Sequence, residues 1–263
     1  MATRTARTRP KSPTTLAIDI GGTGLKASVL DASGAMLTDR ARVETTYPVS
    51  PTQMVEQLAT LVAPLPAFER ISVGFPGVVR DGRVLTAPHF VTVGGPGTKV
   101  DPDLQTQWTG FDLAGALSTQ LAKACRVLND ADLQALDVVT GTGVEVVITL
   151  GTGFGSAVTQ DGRLGAHLEL SQHPFRKGET YNQQLGDAAR SRIGNDKWNQ
   201  RLRRAIATLQ TLFLFDHLYL GGGNTRHITL ALADNVTIID PNAGLLGGLR
   251  LWQLDDTGVS SSK

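Results

Sequence analysis

The sequence predicts an α/β protein of two lobes with a cleft between them, and two observations carry that prediction. Strand-like and helix-like segments alternate along all 263 residues. The order strand, glycine turn, strand that begins near Leu16 begins again near Val144. An apolar content of 41% with a formal net charge of +1 is ordinary for a folded chain with a sizeable core. No apolar run approaches the roughly 18 residues that span a bilayer, and the basic opening MATRTARTRPKSP lacks the apolar core of a secretion signal. A cytoplasmic protein with no membrane partner is expected.

The elements follow in order. Residues 1–13 and 256–263 are expected to be disordered tails. TTLAIDI reads as a strand, LKASVLD as a second with Leu25, Ala27 and Val29 on one face, and AMLTDRARVET as a third beyond the Ser33-Gly34 turn. Ser50-Pro51 opens a helix with Met54, Leu58, Leu61 and Val62 at helical spacing, and Pro64 closes it. RISVGF is a strand and VVRDGRVL a hairpin around Asp81-Gly82. APHFVTVGGPGTKVDP is a long loop of the kind kept for binding. Asp112 caps a helix carrying Leu113, Leu117 and Leu121, RVLND is a strand ending at Asn129-Asp130, and ADLQALDVV is a helix leading out of it. These make a first lobe over 14–135.

The second lobe, over 136–255, repeats the opening with VEVVITL, GTGFGS and AVTQDGRLG. A helical region from Gly186 to Phe215, kinked near Gly194-Asn195, turns Trp198, Leu202, Ile206, Leu209 and Phe213 inward. DHLYLGGGN is a strand ending in a glycine run, VTIID is another, and AGLLGGLRLW is a closing helix.

Cys125 is the only cysteine and the five histidines show no HxxxH or HExxH spacing, so neither an internal disulfide nor a structural metal is expected. The cysteine reads as a buried thiol behind the apolar side of a helix.

Chemistry concentrates in the glycine turns. Backbone N–H groups freed by Gly21, Gly22, Thr23 and Gly24, and by Gly151, Thr152, Gly153 and Gly155, can converge on an anion, with no Cβ to hold a phosphate away. Two tight hairpins would look the same locally, but the recurrence in matching contexts favours phosphate. Gly22 to Ala27 also fits the G-x-G-x-x-A dinucleotide pattern, which must open a helix, whereas Lys26 and Ser28 here alternate with apolar residues as in a strand. Asp19, just before the first turn, would repel phosphate unless a cation lay between them, which points to Mg²⁺; a strand-end aspartate satisfied by turn amides is the plainer alternative.

AIDIGGTGLKASVLD, ISVGFPGVV, VLNDAD, ITLGTGFGSAV and LYLGGGN, in that order, resemble the ROK family of sugar kinases, whose fold is that of the actin-like (ribonuclease H-like) ATPases. VGFPGVVRDGRVLTAPHF and LELSQHPFRKGETY resemble its polyphosphate glucokinase branch. The resemblance implies that Asp130 is the catalytic base and that Asn129, Asp130 and Glu169 hydrogen-bond a sugar, with Gly77 in the loop that closes on it. It assigns Asp19, Thr23 and Lys26 to a first phosphate site, Gly151, Thr152 and Gly153 to a second, and Gly221, Gly222, Gly223 and Asn224 to the surroundings of a nucleoside. The expected activity is phosphorylation of glucose at its 6-hydroxyl from polyphosphate or ATP, with Mg²⁺, in a homodimer.

Three departures qualify that expectation. The cysteine-rich zinc motif of many relatives is replaced by HPFRKGETYNQQLG, so zinc is not implied. Where the family usually has histidine this chain has Gln172, which lacks the rigid ring and the option of positive charge; His173 beside it should point elsewhere. The family's repressors carry an N-terminal helix-turn-helix, for which the stretch before Leu16 is too short, so DNA is not an expected partner. A protein that binds sugar or polyphosphate without turnover, and a kinase for another hexose such as mannose, are the alternatives.

Arg176, Lys177, Arg190, Arg192, Lys197, Arg201, Arg203 and Arg204 make a basic region in a nearly neutral chain, suited to a long polyanion or to a solvated helix face. Together with the branch resemblance this favours polyphosphate over ATP. Few aromatic residues are interleaved, which disfavours nucleic acid.

Overall fold

The computed structural model describes residues 13–239 and 243–254; the tails expected at 1–13 and 256–263 lie outside them, Pro13 excepted. The chain opens with β1 (Thr15–Ile20), β2 (Gly24–Leu30), β3 (Ala41–Glu44), α1 (Pro51–Val62), β4 (Arg70–Phe75) and a hairpin of β5 (Val79–Arg80) and β6 (Arg83–Val84). It continues through α2 (Pro102–Trp108), α3 (Leu113–Leu121), β7 (Ala124–Asn129) and α4 (Asp130–Val138). The pattern then restarts with β8 (Val144–Leu150), β9 (Phe154–Gln160) and β10 (Arg163–Leu164). A short hairpin of β11 (Pro174–Arg176) and β12 (Glu179–Thr180) leads to α5 (Tyr181–Leu185), α6 (Asp187–Ile193) and α7 (Asn195–Phe213). Last come β13 (His217–Gly221), β14 (Val236–Ile238) and α8 (Ala243–Arg250).

The two five-stranded sheets have the same topology. The first runs β3-β2-β1-β4-β7 and the second β10-β9-β8-β13-β14. In each, the opening three strands are antiparallel and the last two add parallel to the first. The internal repeat in the sequence is therefore a repeat of topology, each copy led by a strand–glycine turn–strand unit.

Alternation along the strands decides what each sheet face covers. Leu16, Ile18 and Ile20 of β1 join Leu25, Ala27 and Val29 of β2 in the core beneath α1 and α3. The Ser50 hydroxyl and Gln53 side chain form a capping box that starts α1. On the opposite face, Ala17 and Leu30 meet Leu249 of α8. In the second sheet Val146, Ile148 and Leu150 pack with Trp198, Leu202 and Leu209 of α7, while Val147, Ala157 and Tyr219 meet Ala131 and Ala135 of α4. Helices α4 and α8 thus lie between the two sheets. α8 follows the second sheet in sequence yet packs on β1 and β4 of the first, and α4 leaves the first sheet to pack on β8 and β9.

Three details differ from the sequence reading. The binding loop gives way at Pro102 to α2, where the Asp101 side chain accepts from the N–H groups of Asp103 and Leu104. Cys125 lies on β7, half-buried, with burial pushing its thiol up to about 12. The kink expected near Gly194 is a break between α6 and α7, with Gly194 at a φ of 79°. Among the described residues no helix is long and apolar enough to cross a membrane.

Candidate active site

A cleft of about 290 Å³ opens where the two glycine turns face each other across the start of α4. Asp19 ends the inner face of β1, and its cross-strand partner is Lys26, whose Nζ donates to Asp19 Oδ2 at 2.8 Å. Two of the three residues assigned from sequence to the first phosphate site thus form an ion pair on the cleft wall, Lys26 at a side-chain exposure of 33% and Asp19 at 40%. The position equivalent to Asp19 in the second unit is Thr149, two residues before its glycine turn, so the repeat supplies one such carboxylate.

Both turns have carbonyls tied away. Gly21 O accepts from the Thr45 hydroxyl at 2.7 Å and Gly22 O from the Tyr47 hydroxyl at 2.6 Å. Gly151 O accepts from the Asn224 amide at 3.1 Å and from the Asp187 N–H at 3.0 Å. Carbonyl oxygens engaged in this way cannot turn toward an incoming anion, and since the Gly21 and Gly151 N–H groups donate to Gly24 O and Gly153 O within their own turns, at 3.0 Å each, it is the amides after them that face it. A Cβ on Gly153 would lie 2.7 Å from Asn182 Oδ1 and displace that side chain, the acceptor for Phe154 N–H.

Asp130 is the first residue of α4, capped by Asn129. Asn129 Oδ1 accepts from Ala131 N–H at 2.8 Å and Asp132 N–H at 3.3 Å, while its Nδ2 donates to Phe75 O at 3.4 Å and Gly77 O at 3.1 Å. This buried amide therefore clips the Gly77 loop to the helix that carries Asp130. Burial first, and then the charge of Asp19, push the Asp130 carboxyl up to about 7; Glu169 and Asp132 act in the same direction and the Ala131 N–H opposes them.

Glu169 lines the cleft with Asp130 from the second lobe, just before a short 3₁₀ turn at Leu170–Gln172. Its Oε2 accepts from the Ser171 hydroxyl at 2.8 Å and its Oε1 pairs with His167 Nε2 at 3.3 Å. His167 Nδ1 in turn pairs with Asp132 Oδ2 at 2.9 Å. Burial opposes a charge on His167, but the two carboxylates outweigh it and push the imidazole up to about 10, so it holds both as a cation at neutral pH. Against burial, the bonds from His167 and Ser171 hold Glu169 below the usual glutamate range.

The cleft brings together Asp19, Gly21, Gly22, Thr23, Gly24, Lys26, Gly77, Asn129, Asp130, Gly151, Thr152, Gly153, Glu169, Gln172 and Gly222, all named from sequence. Gly221 and Gly223 do not line it, and Asn224 stands behind it, bracing the second turn. Arg40, His89, Gln134, Ser171 and Asn182 line it without having been singled out. For His89 the signal was the loop rather than the residue. His167 had none, because its partner Asp132 is 35 positions away in sequence.

The family model described as ROK family matches residues 15–167, more than half of the chain. The chain belongs to the ROK family. It is similar to the polyphosphate glucokinase of Mycobacterium tuberculosis (strain CDC 1551 / Oshkosh), at 26% identity over 91% of each chain. Among solved structures, the inorganic polyphosphate/ATP-glucomannokinase from Arthrobacter sp. strain KM aligns with a TM-score of 0.78 and 29% identity, over 93% of this chain and 100% of that one. A ROK family glucokinase from Streptomyces griseus, in complex with glucose and AMPPNP, aligns with a TM-score of 0.66 at 19% identity, over 90% of this chain and 98% of that one. The fold of this ROK chain is accordingly that of the actin-like ATPases, its paired sheets being the two halves.

Proposed function

We propose that this ROK protein transfers a phosphoryl group from inorganic polyphosphate, with ATP as a second donor, to the 6-hydroxyl of glucose. The observation that carries the proposal is Asp130: a carboxyl held near neutrality at a helix start, facing two glycine turns. Such a group is poised to accept a hydroxyl proton at pH 7. In the step, Asp130 takes the proton from the sugar 6-hydroxyl as that oxygen bonds to the terminal phosphorus. The bridging P–O bond breaks, and a polyphosphate one unit shorter, or ADP, departs.

Glu169 and Gln172 hold the sugar, Gly77 lies in the loop that closes on it, and Asn129 positions that loop against Asp130. Gly21 to Gly24 with Lys26 take one part of the donor and Gly151 to Gly153 the other. With ATP, Gly221 to Asn224 flank the nucleoside. The donor set suits Mg²⁺. Asp19 keeps one carboxylate oxygen free of Lys26, and Mg²⁺ asks for one or two carboxylates beside phosphate and water. When bound there, it would neutralise donor charge. Among the described residues no group of three His, Cys, Asp or Glu side chains is arranged for a metal, which such a water- and phosphate-rich site does not need.

Polyphosphate is favoured by the basic cluster. Burial lowers the Arg201 pKa and the neighbouring charges of Arg176 and Arg192 lower it further, so three cations crowd one surface. Arg190 is withdrawn to Asp187 at 2.8 Å. Replacing Arg192 and Arg201 by Gln should raise the polyphosphate KM about tenfold and flatten its salt dependence while leaving the ATP KM nearly unchanged. An equal effect on both donors would count against a polyphosphate track. Mannose is a second acceptor suggested by the Arthrobacter neighbour.

The direct test is hexose 6-phosphate production from glucose or mannose with Mg²⁺ and either donor. Product supports the kinase; sugar-dependent thermal stabilisation with no product under either donor would leave a binding protein. Gln172→His should lower the glucose KM several-fold, on the order of one hydrogen bond. An unchanged or higher KM would mean the sugar does not meet this position.

A further inference from the structure

His89 is a polar group in the cleft wall for which the reaction above has no use. The residue is half-buried. Its ring lies against the first glycine turn, with Cγ 3.1 Å and Nδ1 3.2 Å from where a Cβ on Gly22 would stand. Among the described residues neither ring nitrogen hydrogen-bonds to protein, although its neighbours in the cleft include Glu169 and Gln172. A half-buried imidazole on a cleft wall with no protein partner has both ring nitrogens available to a ligand that enters the cleft.

The ring is also held in place. Phe90 next to it is fully buried and packs on Tyr47, Phe75 and Trp108 at centroid distances of 6.2, 5.6 and 5.4 Å. The Tyr47 hydroxyl donates to Gly22 O, so one aromatic cluster fixes both the loop bearing His89 and the turn beneath it. That leaves little freedom for the imidazole to swing out of the cleft.

We propose that His89 is a further substrate-contact residue, hydrogen-bonding a sugar hydroxyl from the first-lobe side and supplying the imidazole that Gln172 does not. The proposal rests on the sugar-kinase reading above. The chemistry selects sugar over phosphate. Burial keeps His89 below the ordinary histidine range, so at neutral pH it offers one donor and one acceptor, the complement of a hydroxyl. The Glu169 carboxylate, close enough for its charge to act on the ring, repels phosphate oxygens from the same spot.

Calorimetry of glucose binding without donor, together with steady-state kinetics, tests it. His89→Ala should weaken glucose binding and raise the glucose KM about tenfold, with donor KM unchanged and kcat within about threefold. His89→Asn, which keeps a donor and an acceptor, should lose less. Unchanged glucose affinity in His89→Ala, or a rise confined to the donor KM, overturns the proposal. Independently of any variant, the His89 ring resonances of the wild-type protein should shift on adding glucose and stay put on adding polyphosphate; resonances unmoved at saturating glucose overturn it as well. Failure of the wild type to bind glucose at all would instead overturn the sugar reading on which it rests.

Discussion

Asp130→Asn is expected to lower phosphoryl transfer by about 10²- to 10⁴-fold while leaving glucose binding within a few-fold of the wild type. Asparagine keeps the shape of the side chain and can still meet a hydroxyl, but it cannot take up the proton. The pH dependence follows from the same group. With the carboxyl raised to about 7, wild-type kcat/KM should climb with pH through that value and then level off. Stability should run the other way. A carboxyl whose folded pKa lies above its unfolded one is a growing burden as pH rises from about 4 to about 7, and a constant one above. Asp130→Asn should therefore melt higher than the wild type at pH 8 and alike near pH 4. A variant that loses activity and gains no stability at pH 8 would show that Asp130 is not held against ionisation. Retained turnover would remove it as the base.

That a single substitution can be predicted to trade activity for stability says something about what the sequence displays. Asp130 stands out through the order of the family motifs and not through its local context, since a strand-end Asn-Asp by itself reads as a helix cap, and Asn129 does cap the helix that Asp130 begins. The glycine turns were legible as turns between paired strands because they are local, and their recurrence is the ground for assigning phosphate to them. What escaped depends on contacts between distant segments. His167 is held as a cation by Glu169 two residues on and by Asp132, and the second of these reaches it only through the packing of α4. Lys26 was assigned to phosphate, and strand register pairs it with Asp19 as well. α8 reads as a closing helix of the second lobe, yet its buried face is spent on β1 and α4. Helical periodicity says which face is buried and nothing of against what.

The glycines of α8 give that packing a measurable consequence. A Cβ on Gly247 would run into the backbone carbonyl of Leu133 in α4, and one on Gly248 would come within 3.1 Å of Ser72 Cβ in β4. A backbone oxygen cannot rotate aside as a side chain can, so Gly247→Ala must push the two helices apart. The gain in helix propensity, at most about 1 kcal/mol, is smaller than the overpacking cost of roughly 1–3 kcal/mol or more. A fall in melting temperature of several degrees is expected. The larger effect should be on turnover. Leu133 lies three residues after Asp130 on the same helix, so a displacement of α4 carries the base with it, and an error of about 1 Å at a reacting group can cost about 10²-fold in rate. Trp252 anchors the far end of this arrangement, its Nε1 donating to Ser72 Oγ at 2.8 Å while Ser72 Oγ donates to Gly248 O at 2.6 Å. With α8 pinned to the first sheet there, the strain from Gly247→Ala has α4 as its outlet. Activity falling much further than stability would place the site under the control of this helix crossing; a proportional loss would mean that α4 and α8 separate without moving Asp130.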